Sequence, residues 1–461
     1  MYLDAISPID GRYGRQTQPL QKFFSESALI CARIEVELTW LIYLAEVQQQ
    51  GKLSLPWKPS ERDLSLLKQT LSAQAFTKHT ARVKEIEQKT NHDVKAVEYY
   101  LRELLHEQGV SEPTRAMVHF SCTSEDINNL AYGILLSRYH CQILLPQWQT
   151  ILKTLKEMAQ KYSATAMLSW THGQPASPTT MGKEMAVFAA RLSRICIDMQ
   201  GFEFPGKMNG AVGNFNAHLI ASPNTPWPQL SYAFIRDKLQ LQPNPVTTQI
   251  ENHDGLARWC HLHIEAATVL IDLARDLWMY IARRYFHLKV NTDEVGSSTM
   301  PHKVNPIDFE NAEGNFGLAI ALAQHFATKL PISRLQRDLS DSTVQRSLGS
   351  MAAYMHLGCG ALIRGLDKIT PNTDFMLTEL TREQAVLGEA AQTIMRAHGI
   401  DDAYEQLKDL SRGKQLDKQT FQAFVNSTQA LRDEDRARLT RLTPESYLGY
   451  AREIAEQVAS T

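Results

Sequence analysis

The sequence has few cysteines, and their spacing excludes two common uses of cysteine. The six are spread over 461 residues and no two form a CxxC pair, which argues against a zinc site and a disulfide framework. They are Cys31, Cys122, Cys141, Cys196, Cys260 and Cys359. We therefore expect reduced, mostly buried thiols and a cytoplasmic location.

Signatures of several large enzyme classes are also missing. The chain contains no GxGxxG opening a βαβ unit, no Walker-type phosphate loop, no HExxH and no GxSxG. These absences argue against a dehydrogenase, a kinase, a metalloprotease and a serine hydrolase. The N-terminus has no basic region followed by an apolar run, so we expect no signal peptide. The longest apolar stretch, 262–286, contains Glu265, Asp272, Arg275 and Asp276, which are costly in a bilayer.

An excess of positive charge is absent as well. The 48 Lys and Arg nearly balance the 50 Asp and Glu, giving a formal net charge of -2. Binding to nucleic acid usually needs a basic domain, so we expect no such partner. Net charge does not exclude a local anion-binding pocket, because it does not report how the charged residues cluster.

The hydrophobic pattern predicts an all-α protein. Apolar residues in 144–162 recur at i, i+3, i+4 and i+7, and Ser60 with Asp63 three residues later is typical of a helix N-cap. The absence of glycine and proline from 256–295 predicts one long helix that is apolar on nearly every face. Such a helix must be buried, either by partner subunits, which we favour, or inside one large bundle.

Strand signals are weak, with candidates only around 204–213 and 243–250. A chain of this length is expected to form two or three domains. We predict three helical domains, 1–112, 113–364 and 365–461, with a central bundle of long helices.

Four polar segments interrupt the helical pattern, at 119–129, 169–184, 296–315 and 333–346. In the first, Thr123 and Ser124 precede two acids, which fits either a plain helix N-cap or an anion site made by the same groups. The second places His172 in a stiff turn. A lone histidine is more often structural than catalytic, yet it is also the side chain best suited to donate a proton near neutral pH.

The third and fourth segments contain further donors. The third mixes serines, His302, Lys303 and Asn305 with two prolines. This composition favours a mobile loop that closes over a ligand, and a plain flexible linker is the alternative. In the fourth, Arg337 and Arg346 are nine residues apart and converge only if a turn intervenes near 338–341. Two converging guanidinium groups suit phosphate and carboxylate; solvated surface charge is the alternative.

Together the segments resemble the fumarase/aspartase superfamily, whose members release fumarate by cleaving a C–N or C–O bond. GSSTMPHKVNP at 296–306 matches its Gly-Ser-Ser-x-Met-Pro-x-Lys-x-Asn-Pro loop at every fixed position. SPIDGRYG, KTNHDVKAVEYYL, HFSCTSEDINNL, GAVGNFNAH, TTQIE and LTPESYLGYA are similar to the bacterial branch that acts on a succinyl-amino purine nucleotide. The likeness therefore spans essentially the whole chain. Trp170 departs from it, because an arginine is expected before Thr-His-Gly, and implies a local change in packing or loop anchoring.

The resemblance implies a carbon–nitrogen lyase of de novo purine biosynthesis that eliminates fumarate by general acid/base catalysis without a metal or organic cofactor. His172 would protonate the departing nitrogen, Ser297 would remove the proton next to the far carboxylate, and Glu310 would hold His172 in its tautomer. His92 would line the site. The residues that would bind nucleotide and succinyl groups are Arg12, Tyr13, Asn91, Asp93, Thr123, Ser124, Gln249, Lys303, Asn305, Arg337, Ser342 and Arg346.

The resemblance also implies small-molecule nucleotide substrates, no membrane partner, and a homotetramer in which each active site draws on three chains. One alternative is another fumarate-releasing lyase, such as argininosuccinate lyase, fumarase or aspartase. Those substrates lack a phosphate, so Arg12, Arg337, Ser342 and Arg346 argue against them. The other alternative is a helical scaffold without activity. Against it, the expected acid, base and loop lysine are all present in the sequence.

Overall fold

A computed structural model describes residues 3–72, 80–289, 300, 303–411 and 416–461. The chain divides into two compact units, each assembled from three separate segments. The first unit comprises Met1–Gln147, Ile197–Thr268 and Asn315–Gly358; the second comprises Trp148–Cys196, Val269–Gly314 and Cys359–Thr461. The domain boundaries after 112 and 364 stay a prediction.

The protein is all-α with a few short strands, as the hydrophobic pattern predicted. In chain order the helices are α1 (Gly14–Thr17), α2 (Gln21–Phe24), α3 (Glu26–Gln49), α4 (Glu61–Ser72), α5 (Thr80–Thr90), α6 (Asp93–Glu107), α7 (Glu112–Arg115), α8 (Ser124–Tyr139), α9 (Leu145–Lys161), α10 (Met181–Gln200), α11 (Asn216–Ala221), α12 (Trp227–Ala233), α13 (Asp254–Ala282), α14 (Ile307–Lys329), α15 (Ser340–Gln345), α16 (Leu348–Lys368), α17 (Thr373–Arg382), α18 (Gly388–Ala397), α19 (Ala403–Ser411), α20 (Lys418–Ser427), α21 (Asp433–Arg441) and α22 (Ala451–Ser460). The strands are β1 (Ala166–Thr171), β2 (Gln174–Thr180), β3 (Pro205–Gly206), β4 (Gln242–Pro243), β5 (Phe286–Leu288) and β6 (Ile369–Pro371). Within the described residues, none of the helices is long and apolar enough to cross a membrane.

Two local predictions are confirmed. The periodic segment 144–162 forms α9, with Trp148, Ile151 and Leu155 completely buried. Ser60 precedes α4, and its hydroxyl oxygen accepts a hydrogen bond from the Asp63 N–H at 3.0 Å. Both features follow from neighbours within one or two helical turns, which is why the sequence alone indicates them.

The prediction that the long helix extends to Val295 was wrong at the C-terminal end. α13 ends at Ala282, Arg284 takes a left-handed φ of +67°, and the chain turns into β5, which pairs antiparallel with β6. Absence of glycine and proline favours a helix, but it does not exclude a turn at an ordinary residue. Here pairing with a strand about eighty residues further along ends the helix.

Within a single chain α13 is not buried on all sides. Its exposed polar side chains recur every three or four residues and so form one stripe along the helix. The stripe contains Asp254, Arg258, His261, Glu265, Thr268, Asp272 and Arg275. Burial of this helix by partner subunits therefore stays a prediction.

The core of the first unit is built around α3. Ile34, Leu38 and Trp40 are completely buried, and α3 packs against α8. The Trp40 ring meets Phe234 edge to face at 4.8 Å, and its Nε1 donates to the carbonyl of Phe120 at 3.2 Å. Each such buried side chain contributes roughly 1.5–3 kcal/mol. This packing fixes the polar segment 119–129 against the core.

The second unit contains a hairpin that the sequence analysis missed. β1 and β2 pair antiparallel from Ala166–Thr180 to Thr171–Gln174, with an irregularity between Leu168 and Ser169. Pro175 and Pro178 lie in β2, and proline is rare within strands, so the sequence looked like a loop. The two predicted strand regions contribute one short parallel pair, in which Pro205–Gly206 lies beside Gln242–Pro243.

The six cysteines all lie in the described part of the chain and are free thiols, as predicted. Cys196, Cys260 and Cys359 are buried, and burial raises the pKa of Cys260 and Cys359 to about 12. A thiol with so high a pKa stays protonated and unreactive near neutral pH.

Candidate active site

The start of α8 is a helix cap, so the N-cap prediction for the first polar segment is confirmed. Thr123 is the N-cap residue, and the Asp126 carboxylate accepts its backbone N–H at 2.8 Å. Ser124 opens the helix and is half-buried. The cap does not exclude the second interpretation, since the helix end still favours an anion. Binding of an anion by Thr123 and Ser124 stays a prediction.

Behind this cap lies a completely buried ion pair that the sequence analysis did not identify. Lys207 Nζ is 2.9 Å from Asp126 Oδ1, and neither side chain is exposed. Asp126 also accepts the backbone N–H groups of Asn209 and Gly210, each at 3.1 Å. Lys207 Nζ donates in turn to the carbonyls of Gly210 at 3.0 Å and Gln249 at 2.6 Å. One buried ammonium thus ties the α8 start to the loop that contains Gln249.

Arg337 joins that loop to α8 from the other side. Its Nη1 donates to Gln249 Oε1 at 3.1 Å, and its Nη2 lies 3.0 Å from Glu125 Oε1. Glu125 is buried and also accepts from Asn128 Nδ2 at 3.0 Å. The two predicted ligands Gln249 and Arg337 therefore meet, with a buried carboxylate holding the guanidinium in place.

A second guanidinium continues the same network. Arg33, completely enclosed on α3, donates from Nε to Asn128 Oδ1 at 2.8 Å and from Nη2 to Asp93 Oδ2 at 2.7 Å. Arg346 Nη2 lies 3.4 Å from the same Asp93 oxygen, and its Nη1 lies 3.3 Å from Glu26. Asp93 and Arg346, both predicted ligands, are thereby brought together as well.

The charge state of Asp93 follows from these neighbours. Burial alone would raise its pKa, but Arg33, the backbone N–H of Val94 and Arg346 outweigh burial and lower the pKa below its ordinary value. The side chain is therefore a carboxylate near neutral pH. In the network this carboxylate pairs with both Arg33 and Arg346.

The chain turns between Arg337 and Arg346, which was the condition for the two side chains to converge. Asp338 Oδ1 accepts the Ser340 N–H at 2.8 Å where α15 begins. Inside the unit, Gln345 of α15 bonds the buried His253 ring at 3.0 Å, and Asp341 lies 3.6 Å from the same ring. These contacts hold the segment that contains Ser342 and Arg346.

His92 is the N-cap residue of α6. Its Nδ1 accepts the backbone N–H of Lys95 at 3.1 Å. An accepting Nδ1 places the ring proton on Nε2, so the half-exposed ring presents an N–H donor. Asn91 before it has a left-handed φ of +51°, which turns the chain into the helix.

His119, in the same polar segment as Thr123, is paired with a buried acid. Its Nδ1 is 2.5 Å from Glu37 Oε1, and Glu37 is completely enclosed. Burial lowers the pKa of His119, but the hydrogen bond and charge of Glu37 outweigh burial and raise the pKa above its ordinary value of 6.5. The pair orders the loop before α8.

Stability should therefore depend on pH through His119. Its folded pKa is raised, so its contribution is complete below 6.5 and is lost as pH rises through the folded pKa. We expect His119→Asn to remove this part of the pH dependence, so that wild type and variant converge in unfolding free energy as the pH is raised. Urea unfolding of both proteins over a pH series measures this. A difference between the two that is constant with pH would contradict it.

His172 lies at the tip of the β1–β2 hairpin. Thr171 pairs with Gln174, so His172 and Gly173 form a two-residue loop, with φ of +53° and +73°. Two positive φ values are typical of the type I′ turn that fits the twist of a hairpin. The prediction that His172 sits in a turn is confirmed, and its ring is exposed.

The other predicted residues are placed as follows. Glu310 opens α14 and accepts from Trp278 Nε1 at 3.1 Å; among the described contacts none joins it to His172. Arg12 lies in the turn before α1 with its guanidinium 5.9 Å from the Tyr13 ring. Lys303 is exposed and Asn305 is half-buried before α14. Ser297 lies outside the described residues.

The residues that sequence reasoning missed are those that hold the predicted ligands. They are Glu26, Arg33, Glu125, Asn128, Lys207, His253 and Asp341. Glu125, Asn128 and Asp341 carried a signal, because they lie in the polar segments at 119–129 and 333–346. The others sit in helical or loop sequence that looks ordinary.

Comparison with known proteins first defines the class. A family profile described as "Lyase" matches residues 11–319, and a second, described as "Adenylosuccinate lyase C-terminal", matches residues 333–448. The fold agrees: a 3-carboxy-cis,cis-muconate lactonizing enzyme from Pseudomonas putida superposes with a TM-score of 0.76 at 18% identity, covering 96% of each chain. These are the features of a lyase of the fumarase/aspartase superfamily.

Closer relatives identify the branch. Adenylosuccinate lyases from Haemophilus influenzae and Escherichia coli are each 44% identical to this chain over 457 residues, which is 99% of this chain and 99% of each relative. The chain therefore belongs to the adenylosuccinate lyase family. It is an enzyme of the lyase class.

Proposed function

We propose that the enzyme eliminates fumarate from two succinyl-amino nucleotides of de novo purine biosynthesis. Adenylosuccinate yields AMP, and succinyl-aminoimidazole-carboxamide ribotide yields aminoimidazole-carboxamide ribotide. The observation that carries this proposal is the 44% identity, from end to end, to enzymes named for the first of these reactions. The reaction is an elimination across a C–C bond and needs no redox or metal chemistry.

The acid of the reaction is His172 and the base is Ser297. Deprotonated Ser297 Oγ takes the proton from the carbon next to the far carboxylate, and that electron pair becomes the double bond of fumarate. The C–N bond breaks, and His172 gives its proton to the departing nitrogen. A tight two-residue turn suits the acid, since proton transfer requires the ring within hydrogen-bond distance of the nitrogen.

The binding groups match the charge of the substrate, which carries one phosphate and two carboxylates. Arg337 and Arg346 serve these anions, since each is braced by carboxylates while keeping guanidinium N–H groups for a ligand. The Thr123–Ser124 helix start, Gln249, Lys303 and the other predicted ligands complete the site. Loss of the proton creates a doubly charged aci-carboxylate, and donors fixed beforehand stabilise it without reorganisation.

We also propose that several subunits contribute residues to each active site. The acid, the base and the ordered guanidinium network lie far apart in sequence, which suits a homotetramer whose active sites are shared. Free thiols support a cytoplasmic location. The proposal also includes a division of the chain into three domains, 1–112, 113–364 and 365–461.

The proposed function is tested by incubating the protein with adenylosuccinate, without added metal or cofactor, and quantifying both products. We expect fumarate and AMP in equal amounts, and an analogous result with the aminoimidazole substrate. Argininosuccinate, malate and aspartate are run in parallel. Fumarate from one of these alone would identify another lyase, and no fumarate from any substrate would favour an inactive scaffold.

A further inference from the structure

Trp170 lies on β1, two residues before His172, and is held from two directions. Its Nε1 donates to the Tyr285 hydroxyl at 3.0 Å. The guanidinium carbon of Arg283 stands 3.2 Å from the centre of its ring, so the cation lies against the aromatic face. Both partners belong to the segment between α13 and β5.

Glu379, on α17, closes the cluster. Arg283 Nη2 lies 3.1 Å from Glu379 Oε1, and the Tyr285 hydroxyl donates to Glu379 Oε2. The carboxylate thus fixes both groups that hold Trp170. We call Trp170, Arg283, Tyr285 and Glu379 the hairpin anchor.

The environment makes these contacts stronger than ordinary surface pairs. Tyr285 is completely buried, and the Arg283 and Glu379 side chains are 32% and 24% exposed. Burial and the Glu379 carboxylate raise the pKa of Tyr285, so its hydroxyl stays protonated and remains a donor. Partly desolvated cation–π contacts and charge-assisted hydrogen bonds are stronger than exposed ones.

The hairpin depends on such support. Its two strands pair only with each other among the described strands, and an isolated two-stranded hairpin is marginally stable. Leu168 anchors its base in an apolar cluster with helices of the C-terminal region. Trp170 is the next large side chain towards the tip. Because the turn has only two residues, the direction of His172 follows the end of β1.

We propose that Trp170 and Arg283 are positioning residues that aim His172 at the departing nitrogen. The inference rests on the acid role of His172 in the proposed function. Neither residue touches the substrate in this proposal; both act through the orientation of the hairpin tip. Weakening the anchor would misdirect the proton donor, and a displacement of about 1 Å can cost a hundredfold in rate.

The test measures kcat and KM for adenylosuccinate in Trp170→Leu and Arg283→Met. We expect kcat to fall by roughly tenfold to a hundredfold, with KM within about twofold. Trp170→Phe keeps the ring and Arg283→Lys keeps the charge, so each should recover part of the loss. Arg191→Met is the matched control, because Arg191 is also 32% exposed and paired with an acid, Asp272, but does not touch the anchor.

A His172→Ala background separates positioning from a general structural role. A residue that acts only through His172 has nothing left to position, so Trp170→Leu should cause no further loss of kcat there. The same loss in both backgrounds, or wild-type kcat in the single variants, would overturn the inference and leave the proposed function intact. Wild-type activity of His172→Ala itself would overturn the acid role, and the inference with it.

Discussion

Replacing His172 or Ser297 with alanine is expected to lower kcat for fumarate release by about 10²–10⁴-fold, the usual contribution of a positioned acid or base. Without the imidazole, the nitrogen must leave as a poorly stabilised anion. Without the serine oxygen, the proton next to the carboxylate has no base. KM should change little, because neither group is among the proposed anion ligands.

The measurement is fumarate formation under saturating substrate, with AMP quantified in the same samples. The double variant should be much less impaired than the product of the two single effects, since acid and base act in one concerted site. Ser298→Ala is the control for Ser297, because it removes the neighbouring hydroxyl of the same loop. Equal losses in Ser297→Ala and Ser298→Ala would contradict the assignment of the base.

Lys207→Met is expected to lower the free energy of unfolding by about 3–5 kcal/mol, the range for breaking a buried ion pair from one side. The Asp126 carboxyl group would lose its ammonium partner in a completely buried position. The carbonyls of Gly210 and Gln249 would lose a charged donor as well. Methionine has nearly the same shape, so the loss reports charge and hydrogen bonding rather than a cavity.

Urea unfolding at a fixed protein concentration measures this effect. Lys153→Met is the control, because Lys153 and Glu157 form a pair with side chains 78% and 65% exposed, and exposed pairs contribute about 0–1 kcal/mol. A loss in Lys207→Met no larger than in Lys153→Met would show that the buried pair does not stabilise the fold. Any stable fraction of Lys207→Met should bind substrate more weakly, since Lys207 ties Gln249 to the start of α8.

Some features could be predicted because they depend only on residues that are close together in the sequence. The cap at Thr123 and the turn at His172 each depend on a few adjacent residues. The network that orients the ligands could not be predicted in this way. Arg33 and Asn128 are 95 positions apart, and Arg337 and Gln249 are 88 apart, so nothing in either neighbourhood indicates the partner.

The hairpin illustrates the same division. The sequence analysis singled out His172 and identified Trp170 as a departure from the family pattern. It did not predict the two strands, because proline is rare within strands. Only the fold supplies Arg283, Tyr285 and Glu379 as partners for Trp170. For α13 the sequence predicts that a long helix is present, whereas the end of that helix at Ala282 depends on pairing of β5 with β6.

The sequence by itself determined the all-α class, the helix starts at Ser60 and Thr123, and the family to which the chain belongs. These rest on periodicity, caps and contiguous motifs, whose physical causes act over one or two helical turns. The tertiary structure alone decided which acids brace Arg337 and Arg346, where Lys207 is buried and what holds the hairpin of His172. Those contacts join residues that are distant in sequence, and their strength comes from burial, which only the folded chain provides.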